Sequence, residues 1–286
     1  VTTRETEGSF SWPPEVTRVP LDEGSGSDGT SHRPPPSAAD LACILPLPGQ
    51  RSSPSAMIEH RGAANALLEA ARISGLGSED RLLALSPLDD PLALWELLGP
   101  LAWGGSVVVP DAADRAEPAR WPELIRRRGV TVWVSAPEPL ARLLAAARRA
   151  GAGLPLRAVL VSGRELPAGL VERLRTAFPE ARLARLTPVP EAPLWAAAAP
   201  LDAPPTYYGR PLANLTLHIL DPRLEPRPDG VPGALFLGGP GLARGYWRDP
   251  AGSAAHFLIH PDTGERLFRT GETARVRPDG EVETSL

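Results

Sequence analysis

Residues 41–61 read LACILPLPGQRSSPSAMIEHR: an apolar run, then Pro, Gly, Ser and Arg, then what reads as a helix entry. Strand, loop and helix in that order make a common anion site, because loop N–H groups and the helix N-terminus converge there. Gly49, Arg51, Ser52 and Ser53 are the residues suited to a phosphate. Pro46 and Pro48 work against it, since each fixes φ and lacks an N–H. Other candidate groups are isolated. Asp89 and Asp90 precede Leu92 and read as a turn and helix N-cap. Glu191, alone after a proline-rich run, reads as a solvated side chain rather than a metal ligand. The five histidines (His32, His60, His218, His256, His260) show no metal spacing; His256 and His260 are four apart, but the segment reads as extended and ends at Pro261. Ser162 lacks the flanking glycine of a nucleophile elbow. Cys43 sits in the apolar run and reads as a small hydrophobe. The residues by themselves therefore offer no catalytic group and no metal site.

The elements that must position these groups follow from periodicity. The chain has 286 residues, 42% of them apolar, and a net charge of −4. That charge gives no reason to expect nucleic acid or an anionic membrane as partner. No apolar run approaches the ~20 residues of a membrane span, and no signal-peptide pattern opens the chain. The cytoplasm is the default expectation. All 30 basic residues are arginine, so a mechanism that needs lysine has none to use in this chain.

Residues 1–40 read as linker with at most one short strand, at 15–19; the glycines at 24–29 follow no apolar strand and are read as linker too. Residues 41–205 read as an α/β core. Strands are expected at 41–45, 82–86, 107–109, 130–134, 158–161 and 183–186. They are continuous apolar runs, as in a parallel sheet covered on both faces. Helices between them carry Ala64, Leu67, Leu68 and Ala71; Leu140, Leu143, Leu144 and Ala147; and Val171, Leu174 and Phe178, all at helical spacing. Arg126–Arg128 and Arg148-Arg149 read as solvated faces. From 206 to 286 the pattern becomes antiparallel β: strands at 214–221, 234–237, 266–270 and 273–277, with Pro-Asp-Gly turns at 228–230 and 278–280. The fold class is α/β, a doubly wound, mostly parallel sheet layer with a small antiparallel β subdomain.

Residues 233–250, GALFLGGPGLARGYWRDP, together with Tyr208-Gly209-Arg210-Pro211 and Phe268-Arg269-Thr270-Gly271-Glu272, resemble the adenylation domains of nonribosomal peptide synthetases, in the adenylate-forming ligase superfamily. Order and spacing match over about 240 residues. Residues 131–137 and the segment around Glu191 are most similar to those of heterocyclising modules, which activate Cys, Ser or Thr. The resemblance implies a partial N-terminal core, with the family's C-terminal subdomain and its lysine beyond this chain. Active members bind ATP with Mg²⁺ and an amino acid, form an aminoacyl adenylate, and load a carrier-protein thiol.

The resemblance also assigns positions. The family's phosphate loop, like TSGSTGxPKG, aligns with residues 47–56, where only Gly49 and Pro54 match and Ser55 stands at the lysine. The family's ammonium-binding aspartate aligns with Pro91, while Trp95 and Glu96 match. Val134 stands where the heterocyclising group has a polar pocket residue. The threonine of the Thr-Glu pair is Pro190 and its glutamate is Glu191. The ribose-binding aspartate is Glu272. Together these imply a catalytically inactive adenylation domain that binds no cofactor and acts as a scaffold among neighbouring condensation or cyclisation, carrier-protein and tailoring domains. The alternatives are an active amino-acid-adenylating domain using ATP and Mg²⁺, and a nucleotide or acyl-carrier binding module without chemistry.

Overall fold

The computed structural model describes residues 35–47, 54–151 and 153–285. The expected strand at 15–19, and Pro48, Gly49, Arg51, Ser52 and Ser53 of the loop, lie outside the described residues. The chain divides into two units, Val1–Pro36 and Ser37–Leu286, and every described strand and helix belongs to the second.

The apolar run before the loop does form a strand, β1 (Leu41–Pro46), but it does not enter the parallel sheet. It pairs antiparallel with β2 (Ser55–Glu59), with Pro46 opposite Ser55. Of the expected helix entry at 57–61, residues 57–59 are therefore the end of a strand, and the helix begins at His60. The other edge of β2 bonds to residues 244–247, through Met57 N–H to the Gly245 carbonyl at 2.8 Å and Trp247 N–H to the Ser55 carbonyl at 2.7 Å. Helix α1 (His60–Ser74) comes next and ends on Gly75, whose φ of 62° is left-handed. Its buried face is Gly62, Ala66, Ala70 and Ala71; Ala64 and Leu68, expected inside, are exposed. The small residues are there because the helix lies close: a Cβ on Gly62 would stand 2.8 Å from the Gly241 carbonyl oxygen.

The main sheet has seven strands: β3 (Arg81–Leu83), β4 (Ser106–Val108), β5 (Val132–Ser135), β6 (Ala158–Ser162), β7 (Arg182–Pro188), β8 (Trp195–Pro200) and β9 (Arg210–Pro211). Their order is β4-β3-β5-β6-β7-β8-β9; the first five are parallel, and β8 and β9 are antiparallel additions. Between them run α2 (Pro91–Ala102), α3 (Ala112–Ala116), α4 (Trp121–Arg128), α5 (Pro137–Arg149) and α6 (Leu170–Ala177). Alternation along β5 and β6 sorts the core. Val132, Val134, Ala158 and Leu160 join one buried cluster, while Trp133, Val159 and Val161 join another with Leu140, Leu143, Leu144 and Leu174. Both faces are thus covered, as a parallel sheet requires.

A second sheet holds β10 (Thr216–Leu220), β11 (Gly233–Gly238), β12 (Phe257–Ile259), β13 (Arg266–Val276) and β14 (Val282–Thr284), in the order β10-β11-β13-β12 with β14 also on β13. The two short strands expected at 266–270 and 273–277 are one strand, β13. Helix α7 (Pro250–His256) places His256 on a helix rather than in extended chain. Ile219, Leu235, Leu237, Phe268 and Val282 share one buried cluster with Val134 and Trp195, so the two sheets enclose a common core. No helix among the described residues is long and apolar enough to cross a membrane.

Candidate functional site

Apart from Pro46, Pro54 and Ser55 of the β1–β2 hairpin, the described positions singled out in the sequence fall in two places. The first is apolar. Asp90 caps α2, its carboxylate accepting from Leu92 N–H at 2.8 Å, and Pro91 occupies the first turn, where a missing N–H costs nothing. Trp95, one turn on, is 0% exposed and meets Trp195 of β8 edge to face, ring centres 5.9 Å apart. Gly99, packed against the Trp95 indole, leaves room for it. Val134 is buried in the same cluster. A side chain lining a void large enough for an amino acid would retain accessible surface, and Trp95 has none. Glu96, beside it, accepts from the Ser86 N–H at 2.8 Å and the Ser86 hydroxyl at 2.9 Å. Burial raises its carboxyl pKa to about 7.

The second place is polar and gathers around Tyr208. Glu272 is aimed there by a β-bulge. Phe236 of β11 faces Arg269, but Ala234 faces Thr273, so β13 carries two extra residues at Thr270-Gly271-Glu272. Gly271 takes a φ of 81° within it, and Thr270 clips the turn by accepting from Glu272 N–H at 3.1 Å and donating to the Leu235 carbonyl at 2.9 Å. The Glu272 carboxylate pairs with Arg164, Nη1 to Oε2 2.8 Å. Arg164 stands just past the carboxyl end of β6, donates also to Thr284 Oγ1 at 3.0 Å, and lies over the Tyr208 ring, 5.6 Å from its centre.

Tyr208 is itself 0% exposed, and its hydroxyl has no hydrogen-bond partner among the described residues. Burial raises that hydroxyl's pKa; Glu272 and Glu191 raise it further and Arg164 lowers it. Glu191 and Glu272, far apart in the chain, thus act on one atom. Glu191 is not the solvated side chain its isolation suggested. It lies in the turn between β7 and β8, just after Pro190, is 8% exposed, and accepts from the Tyr246 hydroxyl at 2.8 Å. Burial raises its pKa, partly offset by that hydrogen bond.

One residue of this neighbourhood carries no signal in the sequence. Arg185 of β7 is 1% exposed, and its guanidinium donates to the carbonyls of Arg164, Ala203, Pro204 and Tyr207 at 2.7–3.2 Å. It ties the backbone just before Tyr208 to that of Arg164. Burial and the nearby Arg164 charge lower its pKa. An arginine set between Ala184 and Leu186 in the middle of a strand is the only hint the sequence offers. Pro46 and Ser55 close the mouth of the β1–β2 hairpin, and Pro54 precedes β2, its carbonyl accepting from Leu47 N–H at 3.2 Å. No group of three or more His, Cys, Asp or Glu among the described residues is placed to hold a metal ion.

Comparison with known proteins supplies the remaining frame. The family model for AMP-binding enzyme matches residues 23–247. Pyochelin synthetase PchF of Pseudomonas aeruginosa is 35% identical over 264 residues, 87% of this chain and 14% of that protein. Phenyloxazoline synthase MbtB of Mycobacterium sp. (strain MCS) is 34% identical over 250 residues, 85% of this chain and 21% of that protein. The chain therefore spans between about a seventh and a fifth of these two relatives' length. Among solved structures, the nonribosomal peptide synthetase FmoA3 superposes with a TM-score of 0.88 at 34% identity, covering 99% of this chain and 31% of that one. A form of the same synthetase with α-methyl-L-serine-AMP bound also gives 0.88.

Proposed function

The chain belongs to the AMP-binding enzyme family, as a nonribosomal peptide synthetase adenylation domain, and on that premise we propose that it is a catalytically inactive one, serving as a scaffold for neighbouring domains of a megasynthase. The observation that carries this reading is the state of the groups that would hold a substrate. Trp95 has no accessible surface, and the position of the ammonium-binding carboxylate is Pro91 in the first turn of α2. Asp90, the nearest carboxylate that could stand in, is engaged as the cap of that helix. Glu191 is taken up by Tyr246 and Glu272 by Arg164. These residues do not fit ATP and Mg²⁺. Ser55, at the family's lysine, ends a hairpin and supplies no charge.

A scaffold needs its shell, and the shell is intact. Both faces of the parallel sheet are covered and the two sheets share one core. The partners this reading implies are the condensation or cyclisation, carrier-protein and tailoring domains that stand beside such a domain, with the cytoplasm as the compartment.

The alternative reading, an active amino-acid-adenylating domain, draws on FmoA3, whose structures include an AMPPNP-bound form. Pyrophosphate exchange with the twenty proteinogenic amino acids separates the two. The expected result is exchange no faster than the blank with every amino acid. Exchange well above the blank with any one would overturn the inactive reading. Calorimetric titration with ATP and Mg²⁺ is expected to show no saturable heat, and a saturable isotherm would favour a binding module instead.

A further inference from the structure

We infer that Arg164 is an internal plug: its guanidinium occupies the place, between the Glu272 carboxylate and the face of Tyr208, where a nucleoside's ribose diol and base would otherwise sit. This rests on the family reading of Glu272 and goes beyond it by naming the residue that closes the site and the ligand class it excludes.

The geometry is specific. A carboxylate can accept two hydroxyl hydrogen bonds from a cis-diol, and an aromatic face beside it can take a base by stacking. Glu272 is presented for such a role by a bulge that turns it out of the β13 ladder. Its carboxylate is instead held by Arg164 at 2.8 Å, and the same guanidinium spans to Thr284 at 3.0 Å and covers the Tyr208 ring at 5.6 Å. Beneath it the Tyr208 hydroxyl is buried without a partner among the described residues. Burying a hydroxyl unsatisfied is costly, and a network built only for stability would be expected to satisfy it.

The plug is removable. The Arg164 side chain is 23% exposed and reaches the site from the loop after β6, outside the strands of both sheets, so truncating it removes no backbone pairing. What holds the loop itself is the Arg164 carbonyl, which accepts from Arg185 at 3.0 Å whatever side chain residue 164 carries.

The test uses adenosine and AMP, because adenosine needs no phosphate loop. The full chain is expected not to bind either. Arg164→Gly and Arg164→Ala are each expected to bind adenosine saturably, raising the melting temperature by about 3 °C at ten times Kd. Arg164→Lys, which keeps a cation, is expected to gain nothing, and Glu272→Ala placed on Arg164→Gly is expected to abolish the gain. Should the small substitutions fail to melt cooperatively, Arg164→Gln keeps a polar side chain that is shorter and uncharged, and is expected to gain binding more weakly. A folded, uncharged variant that binds no adenosine overturns the plug, as does binding that survives Glu272→Ala. Pyrophosphate exchange by the unmodified chain would instead overturn the inactive reading, so the two failures are told apart.

Discussion

Around Trp95 and Trp195 side chains are sealed by shape; around Tyr208 they are closed by charge. In the first place indoles, Val134 and the small residue Gly99 pack until nothing is accessible, and the Trp95 Nε1–H is left without a partner among the described residues. In the second, every carboxylate has found an internal donor: Glu272 has Arg164, and Glu191 has the Tyr246 hydroxyl. The difference comes from what each surface needs. Apolar side chains gain by excluding water, with no requirement on partner type. Charged groups cannot be buried unpaired, so a carboxylate drawn from solvent must be matched or protonated. A closed apolar site therefore reads as core, whereas a closed polar site keeps its charged groups legible.

The comparison can be broken first at its apolar side. Trp95→Ala empties a fully packed site and is expected to cost about 4 kcal/mol in denaturant unfolding; a loss under about 1 kcal/mol would mean that Trp95 lines a void after all. On the polar side, Arg185→Ala strips the donor from four carbonyls and is expected to cost about 3 kcal/mol. It should also loosen the loop carrying Arg164 and the segment leading to Tyr208, read as faster amide exchange at 164–166 and 206–208.

Glu96 sharpens the boundary between the two chemistries, since it is a carboxylate within the apolar half. Its folded pKa of about 7 lies above the ordinary 4.5, so the folded state holds the proton more tightly. Stability then falls as pH rises from about 4.5 to 7 and the penalty is fully present above 7. The wild type should lose on the order of 3 kcal/mol over that window relative to Glu96→Gln, whose amide does not titrate. Parallel pH profiles for the two would refute a protonated Glu96. The smallest effect belongs to Tyr246→Phe, which leaves the Glu191 carboxylate without its donor and should cost about 1–2 kcal/mol. A neutral result there would mean that water replaces the hydroxyl and that Glu191 is less enclosed than its 8% exposure indicates.

The parallel strands could be read directly, because apolar runs such as Ala158–Ser162 are long, β-branched and bounded by turns. Trp195–Pro200 could not. It reads WAAAAP, and alanine favours helix; it is a strand only because β7 and β9 pair with both its edges. Ser55–Glu59 was hidden by its partner, since the pairing with β1 is made across the loop and leaves no local pattern. At the site, the N-cap role of Asp90 was legible from the proline and apolar residues just after it. The burial of Glu191 was not: it depends on Tyr246, 55 residues away. The ion pair of Arg164 with Glu272 joins residues 108 apart, and the bulge that makes it possible shows in the sequence only as Thr-Gly-Glu.

The β1–β2 hairpin has a practical consequence for protein engineering. Because Pro46 sits opposite Ser55 and the strands below are clamped by four more paired positions, the ends of the intervening segment are already held together. The entropy of closing it grows only with the logarithm of its length, and doubling the segment costs about 0.6 kcal/mol. A lysine-bearing glycine-serine stretch, an epitope or a fluorophore tag inserted between Pro46 and Ser55 is therefore expected to cost little closure entropy, read as the shift in melting temperature.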